Sequence, residues 1–134
     1  DPLWSRGLGD VYKRQVPLAF NRKEAKGHGE GGVLVGAALQ GNIVILDDVI
    51  TAGTSVRESV AIIEQTGAKP AGVLIALDRQ EKGQNNMSAV QEVQQNYQMP
   101  VVSIINLSNI VDYLTENDSE QLEKIKAYQA LYGV

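Results

Sequence analysis

The chain has 134 residues, enough for one small domain with its own hydrophobic core. Apolar residues make up 43% of it and aromatic residues 5%, so the core is expected to be aliphatic, as in α/β sheets. A formal charge of −4 argues against general nucleic-acid binding, which requires a basic surface. With no cysteine and one histidine, the sequence excludes disulfides, thiol nucleophiles and His-rich metal sites.

Membrane insertion and secretion are not indicated by the sequence. No apolar run approaches the length of a membrane span, and no segment has the pattern of a signal peptide. We therefore expect a soluble, cytoplasmic protein with neither a membrane nor a nucleic acid as partner.

The first fifteen residues differ from the rest of the chain. Trp4 stands among glycines and basic residues, with neither helical nor strand periodicity. We interpret residues 1–15 as non-native adapter sequence, with a disordered native tail as the alternative. Residues 16–134 then form the domain, and on the first interpretation a native N-terminal part is missing.

A basic, glycine-rich segment follows a short strand predicted at residues 16–20. Residues 21–32 contain three Lys or Arg residues, one His and four glycines, and each glycine costs a helix roughly 1 kcal/mol relative to alanine. The segment is therefore predicted to be a mobile loop that closes over a polyanionic substrate and neutralises charge on a leaving group. The alternative is a solvated loop with a chance excess of lysine.

The next predicted strand ends in two carboxylates. Residues 43–46 are apolar and mostly β-branched, which predicts a parallel strand buried on both faces. Asp47 and Asp48 follow it, and then come small and hydroxylated residues that direct N–H and O–H donors at one point, as an anionic phosphate requires. Because carboxylates repel phosphate, the pair is predicted to accept hydrogen bonds from sugar hydroxyls or to lie near a cation. The alternative is an ordinary strand-to-helix turn.

A helix is predicted to begin directly after this turn. Ser55 and Glu58 have the Ser-x-x-Glu spacing of a capping box, and Val56, Val60 and Ile63 fall on one helical face. The element as a whole is therefore predicted to be a strand, a phosphate-sized turn and a helix.

A second parallel strand is predicted over residues 71–77. Parallel strands joined by a helix bring their carboxyl ends to one sheet edge, where ligands bind in open α/β sheets. Arg79 would then lie near the first carboxylate pair, with a planar guanidinium suited to a carboxylate. The alternative is an ordinary salt bridge from Arg79 to Asp78 or Glu81.

The last third of the chain is predicted to be structural. Ser88 and Gln91 repeat the capping spacing and predict a helix to about Gln98, followed by a parallel strand over residues 101–105. Apolar periodicity then predicts two further helices, to which we assign no chemistry.

Three segments carry a resemblance to a known family. Residues 47–54, Asp-Asp-Val-Ile-Thr-Ala-Gly-Thr, resemble the phosphoribosyl-diphosphate (PRPP) binding motif of type I phosphoribosyltransferases. The basic loop, Phe-Asn-Arg-Lys-Glu-Ala-Lys-Gly-His-Gly-Glu-Gly-Gly, is similar to the catalytic loop of bacterial orotate phosphoribosyltransferase, and Leu-Asp-Arg-Gln-Glu at residues 77–81 also resembles that enzyme. The resemblance runs from about residue 16 to residue 134. It implies the C-terminal portion of a type I phosphoribosyltransferase fold, a mainly parallel α/β sheet flanked by helices.

The resemblance also implies a reaction. The phosphoribosyl group of PRPP is transferred to orotate, giving orotidine 5′-monophosphate and diphosphate in pyrimidine (UMP) biosynthesis, with Mg²⁺ bound through PRPP and no metal ligand from the protein. It further implies a homodimer in which the catalytic loop completes the neighbour's active site. Alternatives are a type I phosphoribosyltransferase acting on a purine or uracil, an inactive fragment, or a PRPP-sensing regulator.

Residue roles follow from the same resemblance, position by position. Lys26, His28 and Asp48 are implied to be catalytic, and Thr51 and Arg79 to bind orotate. The implied PRPP-binding residues are Arg22, Lys23, Lys26, His28, Asp47, Asp48, Val49, Ile50, Thr51, Ala52, Gly53, Thr54 and Ser55.

Overall fold

The computed structural model describes residues 16–21, 34–83, 86–117 and 120–134. The chain divides into two compact units, which comprise residues 1–39 and residues 40–134. The interpretation of residues 1–15 as adapter sequence concerns a segment outside the described residues and stays a prediction.

In the first unit, strand β1 (Ala19–Asn21) pairs antiparallel with strand β2 (Leu34–Gly36). The N–H of Ala37 donates to the carbonyl of Leu18 at 2.9 Å and extends the pairing. The strand predicted at residues 16–20 is therefore present but begins later. The basic segment predicted to be a loop, with Arg22, Lys23, Lys26 and His28, lies outside the described residues.

The second unit is a parallel sheet with helices, which confirms the predicted α/β class. Among its described residues, the elements in chain order are β3 (Asn42–Asp47), α1 (Thr54–Gln65), β4 (Lys69–Asp78), α2 (Ala89–Tyr97), β5 (Val101–Asn106), α3 (Leu107–Glu116) and α4 (Leu122–Tyr132). The sheet order is β3-β4-β5, so the central strand β4 is parallel to both neighbours. No helix in the described ranges is both long enough and apolar enough to cross a bilayer.

The strand register brings the carboxyl ends of the strands to one edge, as predicted. Asp47, the last residue of β3, is paired with Ile75. Strand β4 continues past that pair to Asp78, which is paired with Asn106 at the end of β5. At about 3.3 Å per residue, the end of β4 projects about 10 Å beyond the end of β3.

The core lies on one side of the sheet, between the strands and the helices. Its most deeply buried side chains, Val56 of α1 and Ile75 of β4, are 0% and 1% exposed. The apolar face predicted for α1 is confirmed, because Val56, Val60 and Ile63 are all buried. The capping box predicted for α2 is also present, with Ser88 and Gln91 bonding reciprocally.

The opposite face of the sheet is exposed, so the prediction that residues 43–46 are buried on both faces is wrong. Val44 and Leu46 of β3 are 57% and 61% exposed, and Val102 and Ile104 of β5 are also exposed. Successive side chains of a strand point to opposite faces, and parallel sheets are usually covered on both. An uninterrupted apolar run therefore indicates two apolar faces, but it does not ensure that the described residues cover both. We call the exposed side formed by Val44, Leu46, Val102 and Ile104 the apolar sheet face.

Candidate functional site

The two carboxylates at the end of β3 have different surroundings. The hydroxyl of Ser55 donates to Asp47 Oδ2 at 2.5 Å, and the N–H of Asp48 donates to Asp47 Oδ1 at 2.9 Å. The side chain of Asp48 is exposed and, among the described residues, accepts one hydrogen bond, from the N–H of Val49 at 2.7 Å. Asp47 therefore ties the strand end to the start of α1, whereas the carboxylate of Asp48 retains accepting capacity for a ligand.

The capping box predicted for α1 is absent. The helix begins at Thr54 with Gly53 as its N-cap, so Ser55 is already a residue of the first turn. The Ser55 hydroxyl donates to Asp47 instead of accepting from a backbone N–H of the helix. The spacing located the helix to within one residue but misidentified its cap.

Gly53 gives the turn its shape. Its φ of 68° lies in the left-handed region that glycine adopts without steric cost, and it provides no side-chain cap. As at every helix start, the first N–H groups of α1 have no acceptor within the helix, and Gly53 has no side chain that could cap them. These free N–H groups and the positive end of the helix dipole together favour binding of an anion. The exposed hydroxyls of Thr51 and Thr54 form no hydrogen bond with the described residues and add two potential donors.

The remaining predicted residues of the turn have narrower roles. Ile50 is 7% exposed, so its side chain anchors the turn in the core. The N–H of Val49 is used by Asp48. Ala52 is exposed and adds little side-chain bulk to the turn. These three residues shape the turn more than they offer side chains to a ligand.

Arg79 lies directly after β4, at the edge where the sequence placed it. Its Nη2 pairs with Glu81 Oε2 at 3.1 Å, so the salt bridge considered as an alternative is present. The Nε atom is buried and has no hydrogen-bond partner among the described residues. Since a guanidinium has five N–H donors, one ion pair leaves capacity for a second carboxylate.

The residue after Arg79 connects this segment to α3, a link that the sequence did not reveal. The side-chain oxygen of Gln80 accepts from the N–H and the hydroxyl of Ser108, at 2.9 and 2.7 Å. Gln80 adopts a left-handed φ of 52°, and its N–H donates to Asp78 at 2.8 Å. The resemblance of residues 77–81 singled out this segment, but no local pattern relates it to residue 108.

Helix α4 also reaches this segment. The hydroxyl of Tyr128 donates to Glu81 Oε1, and the Tyr128 and Tyr132 rings lie 4.9 Å apart between centroids. The carbonyl of Tyr132 accepts from the N–H of Lys82 at 2.8 Å. Helix α4, to which the sequence assigns no chemistry, therefore contacts Glu81, the ion-pair partner of Arg79.

A cavity of about 150 Å³ lies on another side of the turn, between α1 and α2. Gly53, Arg57 and Tyr97 are among its lining residues, but Asp47, Asp48 and Arg79 are not. The cavity therefore does not coincide with the edge at which the predicted ligand-binding side chains lie. We locate the candidate site at that edge on chemical grounds, since its carboxylates and uncapped helix start are there.

Comparison with known proteins identifies relatives over most of the chain. No family model matches it. It is 59% identical over 129 residues to the orotate phosphoribosyltransferase of Hahella chejuensis and 57% identical over 129 residues to that of Cellvibrio japonicus. Each match covers 95% of this chain and 60% of the relative, so the chain spans about 60% of the length of the curated relatives it matches.

Solved structures agree with these relatives. A crystal structure of orotate phosphoribosyltransferase from Francisella tularensis matches with a TM-score of 0.76 and 36% identity, over 97% of this chain and 62% of that one. The UMP synthase of Leishmania donovani, 19% identical, matches with a TM-score of 0.67 over 91% of this chain and 26% of its own, and supports the fold. By sequence and by fold, the chain is similar to orotate phosphoribosyltransferases, over about 60% of their length.

Proposed function

We propose that this chain carries the phosphoribosyl-transfer site of an orotate phosphoribosyltransferase, which converts orotate and PRPP into orotidine 5′-monophosphate and diphosphate. The observation that carries the proposal is the turn after β3. There the exposed carboxylate of Asp48 and the uncapped start of α1 lie within a few residues of each other. An acceptor for ribose hydroxyls and a donor set for a phosphate are the two functions that binding a ribose 5-phosphate requires.

In the proposed complex, the 5′-phosphate accepts hydrogen bonds from the first N–H groups of α1 and from the hydroxyls of Thr51 and Thr54. Asp48 accepts hydrogen bonds from the ribose hydroxyls. Asp47 contributes through its hydrogen bond with Ser55, which fixes the width of the turn. Holding both ends of the ribose phosphate orients its anomeric carbon for displacement.

The reaction is a substitution at that carbon. The bond to the diphosphate oxygen breaks with its electron pair leaving on diphosphate, and a ring nitrogen of orotate forms the new bond to carbon. The proton that this nitrogen carried passes to the diphosphate or to water. Positive charge develops on the ribose in the transition state and negative charge on the leaving group. The protein accelerates this step by holding the ribose, excluding water and neutralising the departing diphosphate.

The acceptor base is proposed to bind through Arg79 and Thr51. The guanidinium of Arg79 retains N–H donors beyond its pair with Glu81, and a carboxylate such as that of orotate matches its planar geometry. This is the feature that favours orotate over uracil or a purine base, none of which carries a carboxylate.

Mg²⁺ is proposed to bind through the oxygens of PRPP. In the described parts of the chain, no group of three or more His, Cys, Asp or Glu side chains is placed to hold a metal ion. The carboxylate of Asp47 is already engaged by Ser55 and a backbone N–H, which fits a cation held mainly by substrate phosphates. When bound, the ion would neutralise charge on the diphosphate.

The basic loop is proposed to close on the diphosphate. Its residues Arg22, Lys23, Lys26 and His28 would supply positive charge to the diphosphate, and the sequence of the loop supports this role. The resemblance further supports a cytoplasmic homodimer in which the loop serves the neighbouring subunit.

The test is diphosphate release from PRPP and Mg²⁺ by the purified chain, with orotate, uracil, adenine and hypoxanthine offered in parallel. We expect diphosphate release with orotate alone. An Asp48→Asn variant should lose this release and should bind PRPP, but less tightly than the unmodified chain. Release with another base would overturn the substrate. Silence with all four bases, together with tight PRPP binding, would favour a PRPP-sensing role.

A further inference from the structure

The carboxylate of Glu81 is divided between two partners. Its Oε2 pairs with Arg79 at 3.1 Å, and its Oε1 accepts the hydroxyl hydrogen of Tyr128 from α4. Glu81 is 22% and Arg79 33% exposed at the side chain, so water competes only partly for these contacts. Tyr128 thereby occupies the second oxygen that Glu81 would need for a two-point pair with Arg79.

The backbone on each side is also fixed by the C-terminal end of the chain. The N–H of Val134 donates to the carbonyl of Gln80 at 3.0 Å, and the N–H of Lys82 donates to the carbonyl of Tyr132 at 2.8 Å. Glu81 itself forms an antiparallel bridge with Gly133. The position of the Glu81 side chain relative to Tyr128 is therefore set by the fold.

A carboxylate that is free at both oxygens prefers a two-point pair with a guanidinium, with two parallel N–H···O bonds. Such a pair would occupy an edge of Arg79 that a carboxylate ligand needs. Because the Tyr128 hydroxyl holds Oε1, Glu81 orients the guanidinium through one oxygen and leaves its other donors available. The same contact restricts a long, flexible side chain before the ligand arrives, which reduces the entropy lost on binding.

We propose that Tyr128 is a positioning residue for the acceptor-binding site: by holding one oxygen of Glu81, it keeps Arg79 oriented and available for the carboxylate of the acceptor base. The part concerning the acceptor base rests on the proposed function. The part concerning the Glu81–Arg79 geometry stands on the contacts of this chain alone.

The first test compares Tyr128→Phe with Tyr132→Phe. Both changes remove one hydroxyl from the same ring pair, but the hydroxyl of Tyr132 forms no hydrogen bond with the described residues. Tyr128→Phe is expected to raise KM for orotate roughly tenfold, while KM for PRPP and the melting temperature stay near wild type. Tyr132→Phe is expected to leave all three values unchanged. Equal KM for orotate in the two variants would overturn the proposal.

Rescue separates this role from a loss of packing. In a Tyr128→Phe, Glu81→Gln double variant, the side chain at position 81 is no longer held by a tyrosine hydroxyl, but it is uncharged. It therefore competes only weakly with the ligand carboxylate for Arg79. The double variant is therefore expected to recover part of the orotate affinity lost in Tyr128→Phe, because the competition ends while the orienting contact with Arg79 is also weakened. A further loss of affinity would overturn competition by Glu81 as the mechanism.

A readout that needs no catalysis is the ¹H–¹⁵N resonance of Arg79 Nε–H, recorded without ligand. We expect it to shift in Tyr128→Phe and to stay in place in Tyr132→Phe. If this shift occurs in a chain that neither binds nor turns over orotate, the proposed function fails and the positioning of Arg79 by Tyr128 stands. An unchanged resonance in Tyr128→Phe would overturn the positioning itself.

Discussion

The hydroxyl of Ser55 donates a 2.5 Å hydrogen bond to Asp47, which joins the first turn of α1 to the last residue of β3. The turn between them contains the donors proposed to bind the 5′-phosphate. The contact closes that turn at its two ends, so the spacing between these donors and the carboxylate of Asp48, which is proposed to bind the ribose, depends on it.

Replacing Ser55 by alanine should therefore weaken PRPP binding more than it weakens folding. We expect the Kd for PRPP to rise about tenfold, whereas the free energy of unfolding should fall by less than about 1 kcal/mol because the hydrogen bond is exposed. Titration calorimetry and urea denaturation give the two values. Ser59→Ala, on the same helix, is the control, and an unchanged Kd in Ser55→Ala would contradict the role of the contact.

Gly53→Ala should impair both stability and PRPP binding. A Cβ at residue 53 would meet Val93 Cγ2 at 3.3 Å, and the φ of 68° costs a non-glycine residue about 1 kcal/mol. Gly41→Ala is a matched control, because Gly41 has a φ of 67° with no atom within 4 Å of the added carbon. Both variants should lose about 1 kcal/mol in denaturation, but only Gly53→Ala should bind PRPP more weakly. Equal PRPP affinity in the two would contradict the role of the turn.

Lys26→Ala should lower turnover far more than it lowers stability. A lysine that neutralises the leaving diphosphate acts mainly in the transition state, so a loss of about 100-fold in kcat is expected. The melting temperature should change little. Lys126→Ala, an exposed substitution on α4, is the control, and near-normal turnover in Lys26→Ala would remove the proposed function of the loop.

Two neighbours on β4 test the one-sided core. Ile75 is 1% exposed and Leu74 is 37% exposed, and they point to opposite faces of the sheet. Ile75→Ala should cost about 3 kcal/mol of unfolding free energy, because it removes buried methyl groups and leaves a cavity. Leu74→Ala should cost about 1 kcal/mol or less. Similar losses in chemical denaturation would show that the apolar sheet face is covered in solution.

The order of the elements in the second unit could be predicted because each signal is local. Apolar periodicity predicted α1, capping spacing predicted α2, and the short apolar runs predicted the parallel strands. The shared edge of Asp47 and Asp78 followed from the parallel connection alone. The family resemblance came from short motifs, and homology over 95% of the chain supports it.

What the sequence could not reveal depends on contacts between distant residues. The hydroxyl of Ser55 can cap a helix or bond to a carboxylate, and only the fold decides between them. The links from Gln80 to Ser108 and from Glu81 to Tyr128 span 28 and 47 residues, which exceeds any local periodicity. The apolar ring of Tyr128 fits an apolar helix face, and no local pattern in the sequence indicates that its hydroxyl bonds to a carboxylate.

Because of the apolar sheet face, the free energy of unfolding of the second unit depends on what is bound to that face. Any surface that binds this face in the folded state, and not in the unfolded chain, raises the free energy of unfolding by mass action. Val44, Leu46, Val102 and Ile104 would then contribute to folding only in proportion to the occupancy of that contact. If the bound surface is a second copy of the chain, the melting temperature should rise with protein concentration.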